Sequence, residues 1–504
     1  MSAIAAVPWP APASLAGVAL PLLVVAAAAS LLMLMSGRLL TAIMARLRSR
    51  VGSSKEARLP PGSFGWPLVG ETLDFVSCAY SSRPEAFVEK RRLLYGSAVF
   101  RSHLFGSSTV VTSDAEVSRF VLQSDARAFV PWYPRSLTEL MGKSSILLIN
   151  GSLQRRVHGL VGAFFKSTQL KAQVTADMQR RLAPAIDAWR DLGPGARLRI
   201  QDHAKTIVFQ ILVRGLIGLE PGPEMQQLKQ QFQEFIVGLM SLPIKLPGTR
   251  LYRSLQAKKR MARLIQRIIQ EKRRRILDGG RLREPPRDAI DVLISGGSDE
   301  LTDELISDNM IDLMIPAEDS VPVLITLAIK YLSECPLALQ QLEEENMQLK
   351  RRKTDMGETL QWTDYMSLSF TQHVITETLR MGNIISGIMR KAIRDIEVKG
   401  HLIPKGWCVF VYFRSVHLDD TLYDEPYRFN PWRWKDKDTS TSSFTPFGGG
   451  QRLCPGLDLA RLEVSIFLHH LVTSFSWVAE EDHIVNFPTV RLKRGMPIRI
   501  TNKD

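Results

Sequence analysis

The sequence predicts a mainly α-helical domain with small β-sheets, set behind an N-terminal membrane helix. Three observations point there. Long stretches between residues 151 and 472 place apolar residues at helical spacing. Short alternating runs bounded by Gly or Pro appear near residues 98–112, 388–411 and 471–504. The first 37 residues contain no Asp, Glu, Lys or Arg, and within them Ser14 to Met35 is apolar over a length that spans a bilayer.

The chain of 504 residues is long enough for one large or two ordinary domains. A net charge of +14 admits nucleic acid, an anionic membrane or an acidic protein as partner. No aromatic-studded basic repeat or zinc-knuckle spacing accompanies it, so nucleic acid is the weaker reading. Four scattered cysteines fit a reducing compartment and not a disulfide scaffold.

Taken in order, residues 1–37 read as a membrane anchor. Arg38, Arg46, Arg48, Arg50, Lys55 and Arg58 follow it against the single acid Glu56, which places the C-terminal side in the cytosol. A cleaved signal would carry its positive charge before the apolar run. Residues 38–75 are a basic, Pro-rich linker stiffened by Pro60, Pro61 and Pro67. A helix at 84–96 precedes two strands turned at Gly106, and residues 124–150 read as irregular. Residues 168–285 are mainly helical, broken at Pro243, Pro247 and Gly248. The apolar turn there, with Leu239, Met240, Leu242 and Ile244, would dip into lipid or roof a cavity. Residues 257–275 form an amphipathic helix with a solvated basic face.

Residues 306–336 form an apolar helix interrupted midway, where Pro316 and Pro322 deny backbone bonds. Glu318, Asp319 and Ser320 sit at the break. Burying two acids is costly without purpose, and an acid and a hydroxyl facing a cavity at a broken helix can hold water and deliver protons. The alternative is a Pro-kinked core helix with solvated acids. On the helix at 373–383, Glu377 and Arg380 are three apart and share a face. A small β region follows, and alternating runs ending in MPIRIT close the chain as a hairpin.

The stretch FTPFGGGQRLCPGLDLARLE, residues 444–463, organises the rest. Gly448, Gly449 and Gly450 form a wall without side chains, against which a flat ligand can lie. Arg452 is placed for its fork to meet a carboxylate. Cys454 lies just ahead of a helix, whose N–H groups and dipole favour a thiolate. One cysteine cannot build a tetrahedral zinc or iron–sulfur site, and no CxxC pair accompanies it. It suits a ligand that brings four equatorial donors of its own, namely haem. The alternative is a buried free cysteine in a Gly-rich turn.

This stretch resembles the haem-binding loop of the cytochromes P-450, Phe-x-x-Gly-x-Arg-x-Cys-x-Gly, matched by Phe447, Gly450, Arg452, Cys454 and Gly456. The resemblance extends from Leu59 to Ile500 and implies a haem-thiolate catalytic domain over 76–504, with Cys454 as axial ligand of haem b. It makes residues 316–320 the counterpart of the family's Ala-Gly-x-acid-Thr, with Ala for Gly and Ser for Thr, and so implies Asp319 and Ser320 as the proton relay. It joins Glu377 and Arg380 to Arg433 of the Phe-x-Pro-x-Arg-Trp stretch as a structural staple. Gln154 and His158 depart from the family's commoner Trp and Arg; His158 would either donate to a haem propionate or be a satisfied, partly buried histidine. Arg390 falls at a second propionate position. Trp132, Leu239, Met240, Ile384, Ile385 and Ile388 fall in segments that line the family's substrate cavity.

The stretches MIPAEDSVPVLIT, ITETLRMGNII and KGWCVFVYFRSVHLD are similar to plant microsomal steroid-oxidising members, in particular the brassinosteroid C-23 hydroxylase group of grasses. That implies hydroxylation of 22-hydroxylated sterols at carbon 23 by dioxygen and NADPH-derived electrons. The electrons would arrive through a membrane-bound reductase docked on the basic face near Cys454, at the endoplasmic reticulum. Oxidation at carbon 3 is the competing regiochemistry. A haem-thiolate isomerase or dehydratase would usually lack the acid–hydroxyl pair that is present here, and a non-catalytic sterol or haem carrier would show no NADPH-dependent turnover.

Overall fold

The computed structural model describes residues 58–67, 69–239, 241–278, 286–296, 300–436, 443–487 and 489–503. The anchor segment 1–37, most of the basic linker and Met240 lie outside them. No single helix among the described residues is long and apolar enough to cross a membrane.

Helices dominate, and the strands gather into small sheets. Strands β1 (Val99–Leu104) and β2 (Ser107–Thr112) form a hairpin. Phe105 and Gly106, both at positive φ (51° and 79°), make its two-residue turn, the conformation that matches strand twist. Strand β3 is Phe129–Pro131, β4 Ala196–Arg199, β5 Ile388–Ala392, β6 Ile396–Val398, β7 His401–Ile403 and β8 Cys408–Val411. The main sheet runs β1-β2-β8-β5-β3, with β2 and β8 parallel. The Pro-rich segment is laid on two sheets, bridging Gly62 to Arg101 of β1 in the main sheet and Arg58 to His401 of β7 in the separate β6–β7 pair.

At the C-terminus, strand β9 is Phe475–Ala479, β10 Ile484–Val485, β11 Arg491–Leu492 and β12 Pro497–Asn502. The closing strand is not the arm of a simple hairpin: β12 lies between β9 and the distant β4. Residues 124–150 are also more regular than expected, because β3 and a helix at Arg135–Met141 lie inside them. Pro131 and Pro134 hide that helix in the sequence; Pro134 stands at its N-cap, where a missing N–H costs nothing.

The interrupted helix takes the form Asp303–Met314, Pro316–Asp319 and Val321–Glu334. Ser320, at φ −124° and ψ −73°, is the point of the break. The last segment is buried on nearly every side and packs among helices Ile200–Ile217, Ser369–Gly382 and Leu457–Val472. One apolar cluster runs continuously from Leu140 to Ile500 through these helices. The helix Arg250–Leu277 turns Met261, Ile265 and Ile269 inward at helical spacing and leaves its basic face to solvent.

Candidate haem-thiolate site

Helix Ser369–Gly382 holds Glu377 at zero exposure. Five donors meet its carboxylate. Arg380 gives Nε at 2.9 Å and Nη2 at 2.7 Å, Arg433 gives Nε at 3.0 Å, Trp434 gives Nε1 at 2.9 Å, and the Asn430 N–H stands at 3.1 Å. Arg380 also donates to the carbonyls of His417 and Pro426. A carboxylate buried this deeply is tolerable only because its lone pairs are filled by charge-assisted bonds.

From this hub a chain of hydrogen bonds leads to the cysteine loop. Asn383, at a left-handed φ of 43°, donates Nδ2 to the Arg380 carbonyl at 2.7 Å. Its Oδ1 lies 2.7 Å from His417 Nδ1, and His417 Nε2 accepts the Thr445 N–H at 3.0 Å. An amide can only donate, so Nε2 carries no proton and Nδ1 donates. Burial, with the charges of Arg380 and Arg414, pushes His417 down to about 3, so the imidazole stays neutral. His417, Asn383 and Trp434 were not foreseen in these roles; a neutral buried histidine leaves no spacing signature.

The loop itself folds tightly. The Cys454 N–H bonds the Phe447 carbonyl at 3.1 Å. Gly450 has φ +64°, and a Cβ there would fall inside the Leu122 carbonyl oxygen, so only glycine lets the loop lie against helix Ala115–Gln123. Gly456 follows Cys454 closely; a Cβ on it would sit 3.9 Å from the Cys454 Sγ. Burial raises the Cys454 thiol above its ordinary value, and the Gly456 N–H only partly offsets this. The loop amides and the helix dipole favour the thiolate, burial opposes it, and a cation on the sulfur would tip the balance toward the thiolate.

Arg452 meets a carboxylate of the chain itself. Its Nε is 2.9 Å from Asp125 Oδ2, and its Nη atoms donate to the Ile146 and Ile149 carbonyls and to Asn150 Oδ1. Arg390, buried on β5, lies 4.0 Å from Asp125 Oδ1. Two guanidinium groups thus share one carboxylate, and one positive charge is left over. His158 Nε2 bonds the Leu453 carbonyl at 2.8 Å, and the ring is half-buried. Gln154, 1% exposed, takes Gln451 Nε2 on its Oε1 at 2.7 Å, while its own Nε2 donor has no partner among the described residues.

At the helix break, Glu318 pairs with Lys205. Neither the Asp319 carboxylate nor the Ser320 hydroxyl takes a hydrogen bond among the described residues. Burial lifts Asp319 above the usual carboxylate range, Lys205 and Arg491 opposing and Glu318 adding. The residues expected around the substrate disperse. Trp132 packs with the cluster beneath the main sheet, and Ile388 joins a second cluster on that sheet. Ile384 and Leu239 pack on the helical core, and Ile385 is 47% exposed.

Haem fits this donor set. The Cys454 sulfur, half-buried and desolvated, needs a cation to ionise, the Arg390–Arg452 pair has positive charge left for propionates, and Gln154 Nε2 is a buried donor lacking an acceptor among the described residues. The fold and the loop define a haem-thiolate protein. Residues 60–496 match the cytochrome P450 family, and the chain belongs to it. It is similar to cytochrome P450 90D2 of Oryza sativa subsp. japonica, at 85% identity over 448 residues, covering 89% of this chain and 90% of that protein. It is also similar to the Arabidopsis thaliana 3-epi-6-deoxocathasterone 23-monooxygenase CYP90D1, at 59% over 443 residues, covering 88% and 89%. Among solved structures, retinoic acid-bound cyanobacterial CYP120A1 shares the fold with a TM-score of 0.75 at 23% identity, covering 89% of this chain and all of that one. The protein is a P450 monooxygenase with a haem-thiolate cofactor.

Proposed function

We propose that this monooxygenase hydroxylates carbon 23 of 22-hydroxylated brassinosteroid precursors. The observation that carries the reading is the likeness to a 23-monooxygenase across nearly nine-tenths of both chains. Ring oxidation at carbon 3 has less support, since the activity named for that relative is at carbon 23. Residues 1–37 anchor the enzyme in the endoplasmic reticulum membrane with the folded domain in the cytosol, where NADPH electrons arrive through a membrane-bound reductase. The exposed Leu242, Ile244 and Leu246 support a lipid-facing turn.

When bound, haem supplies the iron at which dioxygen is activated. The chain does the rest. Cys454 offers its sulfur, and Arg390, with Gln154 Nε2, offers cation and donor to the propionates. The Glu377 hub holds the cysteine loop through His417. Burial lifts Asp319 above the usual carboxylate range, which favours proton uptake there, and Ser320 places a relay hydroxyl beside it. Recombinant membranes with reductase, NADPH and a 22-hydroxylated sterol, followed by mass spectrometry, test the reading. A 23-hydroxylated product is expected; products oxidised only on the ring overturn it.

A further inference from the structure

Helix Asp303–Met314 carries polar residues on the side that meets the loop after Met141. Asp308 pairs with Lys258 at 2.8 Å, and Lys258 also donates to the Met141 carbonyl at 2.5 Å. Asn309, fully buried, donates Nδ2 to the Leu305 carbonyl at 2.6 Å and the Ser144 carbonyl at 3.0 Å. Three residues on stands Asp312, 5% exposed. Its carboxyl faces the Ser145 hydroxyl, but no bond of full hydrogen-bond geometry reaches either of its oxygens among the described residues, and the Asn309 Oδ1 has no partner there either. Burial pushes Asp312 up to about 7 against the pull of the Ser145 hydroxyl and the Lys258 charge.

Three acceptor oxygens are therefore gathered on one helix face, buried and without a well-formed hydrogen bond among the described residues, the Ser145 hydroxyl being the donor set against them. Buried acceptors left without donors destabilise a fold, and leucine would suit this apolar helix better. Their position says what they wait for. Asp312 precedes Asp319 by seven residues, with helical backbone at Ile315 between them (φ −54°, ψ −42°). Both therefore face the same side, about 10 Å apart along the axis. The loop opposite Asp312 is strapped by Arg452 to the cysteine loop, through Ile146 and Ile149.

We propose that Asp312, with the Asn309 amide oxygen beside it, accepts a hydrogen bond from a hydroxyl of the sterol substrate. This deepens the 23-hydroxylase reading and rests on it. The substrate offers two such groups, the side-chain hydroxyl at carbon 22 and the ring hydroxyl at carbon 3, which share one chemistry at this site.

The test uses the haem-loaded full chain in detergent and spectral titration with three sterols: one bearing both hydroxyls, one lacking that at carbon 22 and one lacking that at carbon 3. Loss of the recognised hydroxyl weakens binding to the native enzyme about tenfold to a hundredfold, and which analogue suffers names the hydroxyl. In Asp312→Leu that gap closes to about twofold, the affinity for the deoxy sterol being unchanged, with Asp312→Asn falling between. Should Asp312→Leu fail to give the thiolate-type band of the reduced carbon monoxide complex, Asp312→Asn, which keeps the shape, must still narrow the gap. A full gap in either folded variant, or no gap in the native enzyme with either analogue, overturns the proposal and leaves the acid bound to internal water. A gap that closes while products form at another carbon upholds the anchor and sinks the 23-hydroxylase reading; no binding of any of the three overturns both.

Discussion

Replacing His417 by Phe isolates the link between the buried Glu377 hub and the cysteine loop. The ring survives the change, and so does its packing beside Phe413, whose centroid is 6.3 Å away at 19°, and against Phe444. Two bonds are lost, which leaves the Thr445 N–H and Asn383 Oδ1 buried without partners. At about 1–3 kcal/mol for each stranded group, the variant should be less stable by about 2–6 kcal/mol. Urea unfolding of the haem-loaded protein measures that. The fraction of reduced carbon monoxide complex showing the thiolate-type band measures the slack passed to Cys454. There is a pH signature too. The folded-state value of His417, about 3, lies below the ordinary histidine value. Its contribution is present above the unfolded value near 6.5 and is lost as pH falls toward about 3. Without the imidazole, the acid limb of the stability profile becomes shallower. A His417→Phe protein within about 0.5 kcal/mol of the native one, with an unchanged band, would refute the reasoning.

Three further outcomes follow from the same contacts. Glu463 is 3% exposed, its Oε2 has no partner among the described residues, and burial pushes it up to about 8. It therefore stays protonated in the fold, and stability falls as pH rises from about 4.5 to about 8. Glu463→Gln should be more stable than the native protein by a few kcal/mol above that range, at about 1.4 kcal/mol per unit, and nearly equal to it at acid pH, as thermal unfolding across pH would show. Glu377→Ala strands Arg380 at zero exposure and should cost about 3–5 kcal/mol, read as loss of folded haem protein on expression; yield at the native level counts against the hub. Gly450→Ala must leave a positive φ and push helix Ala115–Gln123 off the loop, so haem should transfer to an apoglobin acceptor several times faster, and an unchanged transfer rate would argue that the loop adapts.

Much of the architecture was readable because periodicity and punctuation are local. The helix break at Ser320 is written in Pro316 and Pro322, and the cysteine loop in its glycines. The contacts of Glu377 could be anticipated only through the family resemblance of its Glu-x-x-Arg pair and the Arg433 stretch; spacing alone suggested a plain surface pair. Long-range pairing was not readable. Nothing in Ala196–Arg199 says that it will flank β12, and nothing around Asp125 says that it will take Arg452. Nothing in the sequence says that the Leu453 carbonyl will lie within reach of His158 Nε2. The desolvation of the Cys454 sulfur was not readable either, because it depends on everything packed around it, whereas the helix dipole is local.

The unequal count of charges around Asp125 has a consequence for how the protein lives. Two buried guanidinium groups repel each other across one carboxylate, so the polypeptide by itself holds a grievance that a dianionic ligand relieves. By mass action any such ligand props up the native form. The amount of this protein that survives in a cell is thus tied to porphyrin supply as well as to its own synthesis, and starving cells of porphyrin should deplete it while its messenger RNA is unchanged.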